Sequence, residues 1–169
     1  MERIFDLPAH PLLVHLPVVA IPVLAIAATI LAVLPSQRRR FVVPIVLLAA
    51  VSVIATFTAI SSGEELSELL DADSYIGRHR DLANTLRWMV IGLGLSSVVM
   101  VLDARRGEAS RLPRAADVAL AVVVATFAVL SLVWVVRTGP EGAKPHWCPP
   151  GGPLCTLDEA ATAEASTEA

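Results

Sequence analysis

Charge is scarce in this chain and aromatic rings are scarcer: 17% of the 169 residues are Asp, Glu, Lys or Arg, and 5% are Phe, Trp or Tyr. Soluble domains carry about 25% charged residues, so there is too little charge here for an ordinary water-facing surface. A net charge of -3, with no Lys or Arg cluster interleaved with aromatics, excludes a nucleic-acid interface. The two cysteines, Cys148 and Cys155, lack the Cys-x-x-Cys spacing of a thiol redox pair and the Cys-x-x-Cys-His of covalent haem attachment. Also missing are a glycine-rich phosphate loop, a Gly-x-Ser-x-Gly elbow and a His-Glu-x-x-His zinc motif, so no enzyme class is indicated.

What the chain has in excess is apolar sequence, 55% of it, arranged in long unbroken runs. A helix needs about 20 apolar residues to cross a hydrocarbon core roughly 30 Å thick. Four runs qualify, at about 12–34, 41–60, 82–102 and 118–136. The third is the weakest, because Arg87 and Asp103 bracket only Trp88 to Leu102; it is expected to begin near Leu82, with Arg87 snorkelling to the headgroups. Ala25-Ile26-Ala27 mimics a cleavage site, but Glu2, Arg3 and Asp6 replace the positive region of a signal peptide, so the first span is expected to be retained. The expected fold is an all-α membrane protein: an up-and-down bundle of four transmembrane helices over 1–147, then a tail over 148–169.

The short linkers after spans one and three hold Arg38, Arg39, Arg40, Arg105, Arg106, Arg111 and Arg114, which should face the cytoplasm. Both termini then lie outside. Cys148 and Cys155 flank a Pro-Pro-Gly-Gly-Pro turn and are expected to form a disulfide, which persists only in an oxidising compartment and agrees with an external tail. Thr156 to Ala169, rich in Ala, Thr, Ser and Glu, has no periodicity and is expected to be disordered.

This topology brings all four histidines to one face: His10 and His15 at the start of span one, His79 before span three and His146 after span four. An imidazole inside an apolar run must find a hydrogen bond or a ligand, which makes His15 the most informative of them. It shares a helical stripe with Val18, Pro22, Ala25, Thr29 and Ala32, and span two has a matching stripe of Ala49, Ser52, Thr56, Ala59 and Gly63. Small residues at that spacing mark packing faces, so His15 is expected to look into the bundle. Glu64 to Asp81 reads as a solvated connector with one short helix.

The segments His10-Pro11-Leu12-Leu13-Val14-His15-Leu16-Pro17, Gly63-Glu64, His79 with Asn84, and Arg137 to Lys144 ending at Trp147 resemble the bacterial four-helix membrane family catalogued as domain of unknown function 2231. The resemblance covers about Leu7 to Trp147, and the paired-histidine opening is its specific part. It implies a bacterial inner-membrane location and, because members look similar to b-type cytochrome bundles and occur fused to electron-transfer domains, a redox role with a redox partner protein. Leu16 departs from a position that is often Phe. Pro140-Glu141 departs from a position that is polar or His in some members, which removes one possible ligand.

That resemblance suggests a b-type haem near the external face, bound by His15 and His79, with His10 in reserve and Arg78, Arg80, Arg87 and Arg137 available to the propionates. His10 and His15 are about 140° apart on an ideal helix, so both cannot meet one iron unless Pro11 and Pro17 distort the turn. A transition-metal or proton-relay site made from His10, His15, His79 and Glu64 is a second possibility. A cofactor-free anchor or subunit is a third. All three describe a carrier, binding module or scaffold in the lipid bilayer rather than a catalyst.

Overall fold

Backbone N–H and C=O groups cannot find water inside hydrocarbon, so an apolar run that enters a bilayer must pair them within itself, as a helix does. Four helices result: α1 His15–Val33, α2 Val42–Leu70, α3 Asp73–Asp103 and α4 Arg114–Trp147. Each is long and apolar enough to span a membrane. The computed structural model describes residues 3–4, 7–8, 13–70, 73–106 and 112–147, with side chains at 13–65, 77–106 and 112–140. His10, Cys148, Cys155 and the tail lie outside the described residues. Ahead of the bundle, β1 Arg3–Ile4 and β2 Leu7–Pro8 form an antiparallel ladder of two residues each, which the all-α reading did not contain.

Helices α2, α3 and α4 run to 29, 31 and 34 residues, well beyond the apolar runs that announced them. At 1.5 Å per residue they are roughly 43–51 Å long, so each projects one or more turns past a core about 30 Å thick. The expected connector over Glu64 to Asp81 is corrected accordingly: α2 continues through Leu70 and α3 resumes at Asp73. Glu64-Glu65-Leu66-Ser67-Glu68-Leu69-Leu70 consists largely of strong helix formers, whereas an apolar-run count measures only what lipid covers. For the same reason α4 continues past Arg137, with Pro140 inside it unable to donate to the Val136 carbonyl.

The helices form a ring in chain order, with α4 closing on α1 and only slight diagonal contact between α1 and α3. Near the arginine-bearing end the core is Leu24, Ala28, Leu31, Ile45, Leu93, Met100 and Val101 with their neighbours. A second layer towards the histidine end packs Ile21, Leu86 and Val90 against Val53, Trp134 and Val135. Close approach of α3 and α4 depends on Gly92, where an added Cβ would lie inside contact distance of the Phe127 ring. Val19, Val23, Ile26 and Ile30 of α1, Leu47 and Ile54 of α2 and Val122 and Val129 of α4 are exposed, as a lipid-facing surface requires.

The expected α2 stripe is buried at Ala49, Ser52, Thr56 and Ala59. The α1 stripe is corrected. Ala25 is buried, but Val18 is 52% exposed and His15 is exposed; the inward face is Pro17, Ala20, Ile21, Leu24, Ala25, Ala28 and Leu31. Because α1 is apolar on every side, its pattern could not select the face, and packing against α2 and α4 selected it.

Candidate functional site

Two polar rims lie at opposite ends of the bundle. At the histidine rim, His15 is the first residue of α1, and Pro17 two residues later is buried. Pro17 has no N–H for the Leu13 carbonyl, yet the helix continues through a 3.3 Å bond from the Val18 N–H to the Val14 carbonyl. His79 is half-buried on α3, and its Nδ1 lies 3.1 Å from the Thr138 carbonyl oxygen of α4. Thr138 is tied in turn, its hydroxyl donating to the Trp134 carbonyl at 2.7 Å.

The His79–Thr138 bond and the Gly92–Phe127 contact set the register of the antiparallel pair α3/α4, so Arg87 stands about level with Ser131 and one turn from Trp134. Helices α1 and α3 run in the same direction and meet at Ile21, Leu86 and Val90. His15 therefore stands about one turn deeper than His79, on the diagonally opposite helix. Arg80 is half-buried beside His79, Arg137 lies next to Thr138, and Glu64 is exposed on α2. Among the described residues no three His, Cys, Asp or Glu side chains come together as a metal-binding group, so His15, His79 and Glu64 do not form one by themselves.

Arg87 does not simply snorkel. Its guanidinium carbon lies 5.7 Å from the Phe57 ring centroid and 5.3 Å from that of Trp88, and its Nε is buried without a hydrogen bond. Stacking on two rings compensates part of the lost hydration. Arg137 lies similarly over Trp134, at 5.7 Å, while the Trp134 indole N–H is itself buried and unpaired. The Ser52, Ser97 and Ser131 hydroxyls are also buried without partners, although Thr29, Thr56, Ser96, Thr126 and Thr138 all donate to the carbonyl four residues back. Of these five orphan groups, Arg87, Ser131 and Trp134 lie towards the histidine rim. A buried unpaired donor is a position where water or a ligand atom would be stabilised.

The arginine rim holds the interaction that the sequence concealed. Arg38, only 4% exposed, donates through Nε to the Leu31 carbonyl at 2.8 Å and through Nη2 to the Ala32 carbonyl at 3.0 Å. Its Nη1 pairs with the Asp117 carboxylate of α4. The local cause is Pro35: it cannot supply the N–H that would have closed on Leu31, and Arg38 caps that carbonyl instead. Asp103, also buried, accepts the Leu112 N–H on both oxygens at 3.3 Å and lies 3.9 Å from Arg106. Between these groups is a cavity of about 460 Å³, its wall including Ser36, Arg38, Arg39, Asp103, Arg114 and Asp117. A charge count treats Arg38 and Asp117 as loop residues; the available signal was a lone carboxylate one residue before an apolar run, opposite an arginine-rich linker.

No curated protein and no solved structure matches the chain. Residues 6–149 match the family described as "Predicted membrane protein (DUF2231)", a range that takes in both rims and all four spans. With four membrane-length helices over that range, the chain belongs to this family of predicted membrane proteins.

Proposed function

We propose that the protein is a small b-type haem-binding electron-transfer bundle with its site at the histidine rim. The observation that supports this reading is the His79 ring. When Nδ1 donates to the Thr138 carbonyl, the lone pair of Nε2 is left for a ligand, and a backbone carbonyl is the usual second partner of a metal-bound imidazole. His15, about one turn deeper on the diagonal helix, would be the second imidazole to hold the group, with His10 as the reserve. Arg80, Arg87 and Arg137 supply cations at the same rim, and the unpaired donors of Arg87 and Trp134 suit an acceptor-rich group such as a propionate. Bound there, a haem supplies a one-electron couple.

In this reading the histidine rim faces the outside of the bacterial inner membrane, where a redox partner protein docks. Both termini lie on that side, Cys148 and Cys155 are bridged, and the arginine rim faces the cytoplasm. The exposure of His15 favours a second reading, in which His79 only ties α3 to α4 and the bundle is a cofactor-free anchor or subunit.

The test is the reduced-minus-oxidised spectrum of detergent-purified protein from haem-replete cells, with elemental analysis of the same sample. Sharp reduced bands that disappear in His79→Ala and in His15→Ala are the expected result. Colourless protein overturns the haem reading; if it retains stoichiometric zinc or copper, a metal or proton-relay module replaces it, and if it is metal-free, the anchor does.

A further inference from the structure

The geometry points to a binding site for a phosphate ester in the cavity at the arginine rim, occupied in the membrane by the headgroup of an anionic phospholipid. Charge accounting around the cavity carries the argument. Asp117 is committed to the buried Arg38, and Asp103 to the Leu112 N–H and Arg106. Both carboxylates in the wall are thus occupied. Arg39 and Arg114 line the same cavity from the α1–α2 turn and the start of α4, and neither is paired among the described residues. Two guanidinium groups contributed by separate chain segments, with the Ser36 hydroxyl in the same wall, suit a tetrahedral dianion or diester better than a carboxylate or a cation.

Size and position favour a lipid as the source. The volume of about 460 Å³ falls within the range of small-molecule pockets and exceeds what a phosphate ion needs. The cavity sits where α1 ends and α4 begins, at the level of the headgroups, and basic pockets between membrane helices are established seats for anionic lipids. Beside it, Val33, Leu34 and Phe41 are 73%, 49% and 41% exposed, giving acyl chains an apolar surface next to the arginines.

The experiment uses delipidated, detergent-purified full chain, incubated with phosphatidylglycerol or phosphatidylcholine and read by native mass spectrometry, with glycerol 3-phosphate as a soluble competitor. Arg39→Gln/Arg114→Gln is compared with Arg40→Gln/Arg105→Gln, which removes the same charge from the same rim but not from the cavity wall. Phosphatidylglycerol should be retained in preference to phosphatidylcholine, and its binding should weaken about 30-fold in the first variant, at roughly fivefold per arginine. The control should stay within about threefold of the parent, since diffuse attraction is screened over a Debye length near 10 Å. Displacement by glycerol 3-phosphate at equal concentration supports the phosphate site and assigns it to a soluble ester instead of a lipid. Equal retention of the two lipids, or equal losses in the two variants at matched thermal stability, overturns the site.

Discussion

Replacing Asp117 by Ala removes the counter-ion of an arginine that is 4% exposed while leaving the arginine in position. Breaking a buried ion pair from one side costs about 3–5 kcal/mol, because the remaining charge is stranded. Two features place this pair at the lower end. Asp117 is itself 30% exposed, so water reaches the site, and Arg38 keeps its bonds to the Leu31 and Ala32 carbonyls. We expect a loss of about 3 kcal/mol, measured as equilibrium unfolding in mixed micelles titrated with SDS and followed by tryptophan fluorescence. At about 2–4 °C per kcal/mol the thermal midpoint should fall by roughly 6–12 °C. The double variant Arg38→Met/Asp117→Leu should recover most of this, since an apolar pair needs no partner, and remain about 1 kcal/mol below the parent because the Leu31 carbonyl loses its cap. If Asp117→Ala unfolds within about 0.5 kcal/mol of the parent, the clamp is not a closed ion pair and the account of this rim fails.

Gly92→Val should cost about 1–3 kcal/mol in the same unfolding assay, because the side chain must displace the Phe127 ring; Gly92→Val/Phe127→Ala should recover part of it, and a neutral single variant would disprove the close approach of α3 and α4. Spheroplasts should admit a membrane-impermeant thiol reagent to an introduced Gly139→Cys but not to Ser36→Cys, on a background of Cys148→Ser/Cys155→Ser; the reverse pattern would invert the topology. The parent chain should run faster on a non-reducing gel than after reduction, and identical mobility would argue against the Cys148–Cys155 bridge.

How much of the site could be read directly from the residues varied with the kind of interaction. His79 stands out in the sequence as a polar residue at the mouth of the bundle, and it makes an interhelical bond, although its acceptor is a backbone carbonyl, which has no residue-type signature. The orientation of His15 is not legible in the sequence, because α1 is apolar all round and several stripes fit the inward face equally well. At Arg87 the sequence suggests only a snorkelling cation, because the Phe57 ring beneath it is 30 positions away in the chain.

The number of spans, their approximate limits and the gathering of polar groups at the helix ends followed from the chain alone, because hydrocarbon thickness turns an uninterrupted apolar run into a crossing helix whatever its neighbours do. Which face of each helix turns inward was settled by tertiary packing. In lipid the two sides of an apolar helix are nearly equivalent, so small differences in fit decide between them, such as Phe127 seated against Gly92 and Ile21 against Leu86 and Val90. The pairing of Arg38 with Asp117 likewise needed three dimensions, since it joins the end of α1 to the start of α4, neighbours in the ring but 79 positions apart in the chain, and depends on a carbonyl that Pro35 left without a donor.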